Sequence, residues 1–164
     1  MGRQHTRFRI NVLFGVTRMK LDNETISILL VEDNQVDIDL TLMAFSRVHF
    51  YQPVKIARDG AEMLNLMESW KTSQDLPRLI LLDINIPKIS GLEVLATLKN
   101  SALTKSIPVV MLTSSNNERD IKKAYELGAN SYLIKPVDFD QFILLTEIIC
   151  DYWIQLNVKP EVVS

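Results

Sequence analysis

Between Ile26 and Leu156 the chain alternates between two textures, and no other feature limits its fold so narrowly. Five short runs are almost wholly apolar: Ile26–Val31 (ISILLV), Val54–Ala57, Leu79–Asp83 (LILLD), Val109–Thr113 (VVMLT) and Ser131–Ile134 (SYLI). Each is too short for a stable helix and rich in residues that suit strands. Continuous apolar runs imply strands buried on both faces, as in a parallel sheet covered by helices. Between them lie segments of helical periodicity, over 36–48, 61–69, 92–100, 117–127 and 139–156. The pattern is β-α repeated five times, an α/β chain.

Helix boundaries carry their own signals. Asp59 precedes Glu62, Ser90 precedes Glu93, Ser115 precedes Glu118 and Asp138 precedes Gln141. Each pair has capping-box spacing. Gly128, after AYEL, fits a helix stop. Trp70–Pro77 (WKTSQDLP) reads as a longer polar loop. With 47% hydrophobic and 23% charged residues in 164, the chain can build one good core and hardly two.

In open α/β sheets ligands bind beyond the carboxyl ends of the strands. The first strand is followed by Glu32 and Asp33, the third ends in Asp83, the fourth in Thr113 with Ser114 and Ser115 behind it, and the fifth is followed by Lys135 and Pro136. If the first and third strands are neighbours, three carboxylates converge, which needs a proton or cation to neutralise them. The two histidines, His5 and His49, lie far apart, and Cys150 is the only cysteine. An all-oxygen set points to a hard divalent ion, with Mg²⁺ the natural candidate. Lys135 adds a compact positive charge and Thr113 a hydroxyl, so the set can hold Mg²⁺ and a tetrahedral phosphoryl group together. Asp83, ending the central strand, is the candidate nucleophile for an acyl phosphate.

These pieces together, ILLVEDN (28–34), LILLDINIPKISGLEVL (79–95), IPVVMLTSS (107–115) and GANSYLIKP (128–136), resemble the receiver domain of two-component response regulators. The resemblance runs from about residue 26 to residue 156. The tail from Lys135 to Asn157 is similar to small stand-alone receivers of the cyanobacterial phytochrome-partner type. The resemblance implies a flavodoxin-like three-layer fold, with a five-stranded parallel sheet of order 2-1-3-4-5 and five helices on both faces. It implies that Asp83 accepts a phosphoryl group from a sensor histidine kinase, phytochrome-like, or from a phosphotransfer protein. Glu32, Asp33, Asp83 and the backbone carbonyl of Asn85 would then hold Mg²⁺, and Thr113 and Lys135 would bond the phosphoryl oxygens. Thr113 and Tyr132 would move as the switch, the Lys135–Pro136 bond would be cis, and Asn85 and Ser115 would tune phosphate lifetime. The protein would be a signalling phosphoacceptor, catalysing only its own phosphorylation and dephosphorylation. The alternative is a phosphorylation-independent binding module on the same fold.

Helix five carries Phe139, Phe142, Ile143, Leu145, Ile149, Trp153 and Leu156, and also Leu144, Ile148 and Tyr152. That exceeds one packed stripe. A homodimer or partner contact through helix four, strand five and helix five is expected, against ordinary surface scatter. Residues 1–20 hold five basic and no acidic residues, while 21–164 carry a net −7. Residues 1–25 read as a basic, disordered leader, with Met19 a plausible start, and 157–164 as a short tail. Neither remnant can fold into an output module, so neither nucleic acid nor membrane is an expected partner. A lone cysteine suits a reducing, cytoplasmic setting, and no apolar run reaches the roughly 20 residues of a membrane helix.

Overall fold

The five apolar runs become five strands: β1 (Ile28–Val31), β2 (Val54–Ala57), β3 (Leu79–Leu82), β4 (Val109–Thr113) and β5 (Ser131–Ile134). A computed structural model describes residues 26–158. The leader, including Met19, and the last six residues lie outside the described residues. The helices are α1 (Gln35–Arg47), α2 (Gly60–Ser69), α3 (Gly91–Asn100), α4 (Glu118–Glu126) and α5 (Phe139–Ile149). All strands pair in parallel in the order β2-β1-β3-β4-β5, as expected.

The strands of the sheet's centre are buried on both faces. Alternate residues separate two cores, because successive strand side chains point to opposite faces. Leu29, Val31, Ile80, Leu82, Val109 and Met111 pack with Met63, Val94, Leu98 and Ala124 of α2, α3 and α4. Ile28, Leu30, Leu79, Leu81, Val110 and Leu112 pack with Ile38, Phe45, Phe142 and Ile149 of α1 and α5. The result is three layers.

The caps fall mostly where the sequence puts them. Asp59 and Asp138 accept from the backbone N–H of Glu62 and Gln141, and Ser90 with Glu93 forms a full capping box. The α4 cap differs. Asn117 accepts from the Arg119 N–H, while Ser115 turns its hydroxyl to Asp120. An Asx cap two residues from its donor competes well with a serine cap. Gly128 ends α4 at φ +94°, and the N–H of Ala129 reaches back to Ala124 O at 3.0 Å, a Schellman stop. The polar loop holds a 3-10 turn, Ser73–Asp75, and buries Trp70 and Leu76 beside it.

Two expectations need correction. The fifth helix does not run on as α-helix to Leu156. Cys150–Leu156 is π-helical, with Asn157 N–H on Tyr152 O at 2.7 Å, and Arg78 donates to the Ile154 carbonyl at 2.6 Å. Widened turns leave carbonyls free, and the guanidinium takes one of them. The Lys135–Pro136 bond is trans. Trans is the intrinsically preferred isomer of an X-Pro bond, and in this form Lys135 already reaches its partners.

Candidate functional site

Parallel register brings the acids together. Val31 pairs with Leu82 across β1 and β3, so the next residues, Glu32 and Asp83, leave the sheet side by side. Thr113 pairs with Ile134, so Lys135 follows at the same end of the sheet. The chain order reverses between β1 and β3, opening the crevice there.

The Lys135 Nζ lies 2.5 Å from Glu32 Oε2, 2.8 Å from Asp37 Oδ2 and 2.9 Å from Asp83 Oδ2. Lys135, Glu32 and Asp83 are nearly buried there. Glu32, Asp37 and Asp83 each offer an oxygen within 4.8 Å of the others. Sequence reasoning puts Asp33 in this set and misses Asp37. Asp33 is exposed and is not one of the three carboxylates that meet. Asp37 arrives from the first turn of α1, started by the Asn34 cap. Only that helix start could have flagged it.

Electrostatics follows from geometry. Burial pushes the Asp83 carboxyl up, but hydrogen bonding from Thr113 and the Lys135 charge outweigh it, and the group lies below the ordinary carboxylate range. For Glu32 burial wins over the Lys135 contact, and its carboxyl is raised. Burial favours neutral Lys135, yet bonds to Asp37 and Glu32 and the charge of Asp83 hold its proton more tightly than usual. Asp83 Oδ1 also accepts from the Asn85 N–H at 3.2 Å. Thr113 is fully buried, and the Tyr132 hydroxyl donates to the Ser115 carbonyl at 3.0 Å.

Three carboxylates facing one ammonium leave excess negative charge. Every donor oxygen is hard, and an ammonium cation already sits in the cradle. The residues fit a divalent cation.

The response regulator receiver domain model matches residues 28–147, the segment that carries all of these groups. The chain belongs to this family. Phosphoryl acceptance is the general function of receivers. The chain is 40% identical over 134 residues to the probable methanogenesis regulatory protein FilR2 of Methanothrix harundinacea (strain 6Ac), covering 81% of this chain and 86% of that protein. It is 36% identical over 135 residues to response regulator Rcp1 of Synechocystis sp. (strain ATCC 27184 / PCC 6803 / Kazusa), covering 81% and 92%. Among solved structures it resembles the Mn²⁺-bound form of Rcp1, with TM-score 0.73, 35% identity, and coverage of 82% of this chain and 99% of that one. It also resembles the phosphorylated cyanobacterial phytochrome response regulator RcpA, with TM-score 0.75, 36% identity, and coverage of 84% and 100%. No helix among the described residues of this receiver is long and apolar enough to cross a membrane.

Proposed function

We propose that Asp83 accepts a phosphoryl group from a phosphohistidine of a sensor histidine kinase or a phosphotransfer protein, with Mg²⁺ bound beside it. The observation that carries this reading is the Lys135 ammonium bridging Asp83, Glu32 and Asp37 at the switch point of the sheet. An Asp83 oxygen attacks phosphorus, the bond to the donor imidazole nitrogen breaks, and an acyl phosphate forms. Its depressed pKa keeps the nucleophile ionised at neutral pH. Lys135 and the Thr113 hydroxyl take the phosphoryl oxygens. Glu32, Asp33, Asp83 and the Asn85 carbonyl would hold Mg²⁺, with Asp37 a further acid. The cation would offset charge on the phosphoryl oxygens.

The surroundings suit a helical donor. Val36, Leu40 and Met43 form an exposed apolar stripe on α1. A cleft beside it is lined by Asp37, Leu40, Thr41, Lys135, Val137 and Phe139. An apolar stripe at helical spacing beside a polar centre fits a helix laid against it. The phytochrome link of RcpA supports a phytochrome-like kinase as that donor.

Incubation with Mg²⁺ and acetyl phosphate, then intact mass measurement, tests the reading. One phosphoryl adduct is expected on the native chain and none on Asp83→Asn. In the same series Asp83→Asn and Asp33→Asn should each weaken Mg²⁺ binding about tenfold. No adduct on the native chain would leave the binding-module alternative.

The reading includes a switch at Thr113 and Tyr132, reported at α4, β5 and α5. The helix five excess divides cleanly. Phe142 and Ile149 are buried, whereas Leu144, Ile148 and Tyr152 are at least half exposed, as is Tyr125 on α4. A homodimer through this face is the second part of the proposal, since Leu144, Ile148 and Tyr152 recur every four residues and so line one exposed side, and a contiguous apolar patch marks an interaction site. Light scattering should show a dimer that Ile148→Glu converts to monomer. A monomer at high concentration with and without phosphoryl group would discard it.

A further inference from the structure

The turn that follows the acceptor strand holds an L-residue where glycine would be at ease. Lys88, between Asp83 and α3, has φ +67°, and around it the Ile89 N–H returns to the Pro87 carbonyl at 2.9 Å. A three-residue turn of that hand is rare and strained, and a strained residue persists where its surroundings hold it. The hold comes from the β2–α2 loop. Lys88 Nζ donates to Asp59 Oδ2 at 2.6 Å, while Asp59 Oδ1 accepts from the Glu62 N–H as the α2 cap. The cap uses one carboxylate oxygen and leaves the other to the lysine. Beside this pair the Gly60 N–H reaches the Pro87 carbonyl at 3.3 Å. A Cβ on Gly60 would lie 2.1 Å from the Ile89 carbonyl oxygen, so the two loops meet backbone to backbone.

We propose that Asp59 and Lys88 are positioning residues for the divalent cation: their ion pair fixes the turn that carries the Asn85 carbonyl and so strengthens metal binding. This rests on the reading above in which that carbonyl is a ligand. Asp59 lies outside the cluster of Glu32, Asp37 and Asp83, so the pair acts through the backbone. Two residues separate Asn85 from Lys88, and both are stiff. Pro87 has a locked φ. Ile86 is biased to extended backbone by the proline after it, and its side chain is buried. A rotation at Lys88 is therefore passed along this short arm rather than absorbed in it. Released from Asp59, an L-residue at position 88 tends to leave the left-handed region. Metal binding then has to bring the carbonyl back.

The test is Mg²⁺ titration of the full chain by calorimetry, beside the denaturant stability of each metal-free variant. Lys88→Ala should bind Mg²⁺ about five-fold more weakly than the native chain, the upper end for an exposed ion pair. The sign is the discriminator, because a lysine acting by charge alone repels the cation and its removal would tighten binding. Asp59→Asn keeps the α2 cap, since Asn caps as well as Asp, and should weaken Mg²⁺ binding by a similar factor. The double variant should be no weaker than either single, because both remove one interaction. Lys88→Arg keeps the ion pair, and Lys88→Gly takes left-handed backbone at no steric cost. Both should bind within about two-fold of native. Lys88→Ala or Asp59→Asn binding Mg²⁺ at native strength or tighter, whatever their stability, overturns the positioning role and leaves the metal reading intact. Additive losses in the double variant, or Lys88→Gly as weak as Lys88→Ala, overturn it as well. Absence of Mg²⁺ binding by the native chain overturns both.

Discussion

Methionine in place of Lys135 is expected to destabilise the metal-free protein by about 3–5 kcal/mol near neutral pH, the cost of removing one partner from a buried ion cluster. Lys135 is the cation that meets Glu32, Asp37 and Asp83, and its side chain is only 12% exposed. Methionine matches its stem but leaves the carboxylates facing one another. The pH dependence identifies the mechanism. In the native protein Lys135 holds its proton more tightly than an unfolded lysine does. Its contribution is therefore complete below the ordinary lysine value of about 10.4 and is lost as pH climbs above it. Asp83 works in the other direction. Its folded pKa is depressed, so its contribution is present above the ordinary value of about 3.9 and is lost as pH falls. In Lys135→Met the carboxyl values rise, because burial and mutual repulsion act without a counter-charge. The folded variant then binds more protons than the unfolded chain at mildly acidic pH. Its deficit should shrink between about pH 8 and pH 5, and Mg²⁺ should stabilise it more than it stabilises the native protein. Denaturant midpoints across pH, with and without Mg²⁺, check this. A deficit independent of both would show that the loss comes from packing of the lysine stem.

The same cluster marks how far the sequence could be read. The strands were legible because each is a short, mostly apolar run, unbroken in β1 and β3 and interrupted by Lys55 in the edge strand β2. A run such as LILL is buried on both sides and has one architecture open to it, the covered parallel sheet. Once strand order is known, Glu32, Asp83, Thr113 and Lys135 converge through register alone. Asp37 was not legible, because a first-turn acid is what any helix N-terminus favours and nothing in the letters shows where α1 points it. Ser115 reads as a helix cap with Glu118 three residues on, yet the neighbouring Asn117 takes that role and frees the serine for Asp120. The π-helical end of α5 carries no Pro or Gly to announce it. Its long-range partner is distant in sequence: Arg78, just before β3, donates to the Ile154 carbonyl. Local signals find local structure, and contacts between remote segments decide the rest.

Gly91→Ala is expected to disable the site from outside it. A Cβ at Gly91 would lie 2.0 Å from the Asp83 carbonyl oxygen and 2.8 Å from the Ile84 Cα. Both are backbone atoms, so no rotamer change relieves the clash. The Gly91 N–H is also bound to the Ile84 carbonyl at 3.0 Å, which ties α3 to the loop that leaves Asp83. The main chain must move, and the part that moves carries the proposed acceptor. A loss of about 3 kcal/mol in stability is expected, in the range of overpacked backbone contacts. Phosphoryl loading should fall by roughly 100-fold in the protein that remains folded, because a displacement near 1 Å at a reacting group costs that much. Gly128→Ala supplies the contrast. Gly128 has φ +94°, and its added Cβ would meet the Lys99 side chain no closer than 3.3 Å. Its penalty is conformational, about 1–2 kcal/mol for an L-residue in left-handed backbone. It precedes β5, at the end of the sheet away from Asp83, so loading per folded molecule should stay native. Stability by denaturant titration and loading by intact mass separate the two glycines. If Gly91→Ala loaded normally once folded, the Asp83 backbone would have to be free to yield, and rigid placement of the acceptor by α3 would be the wrong account of this site.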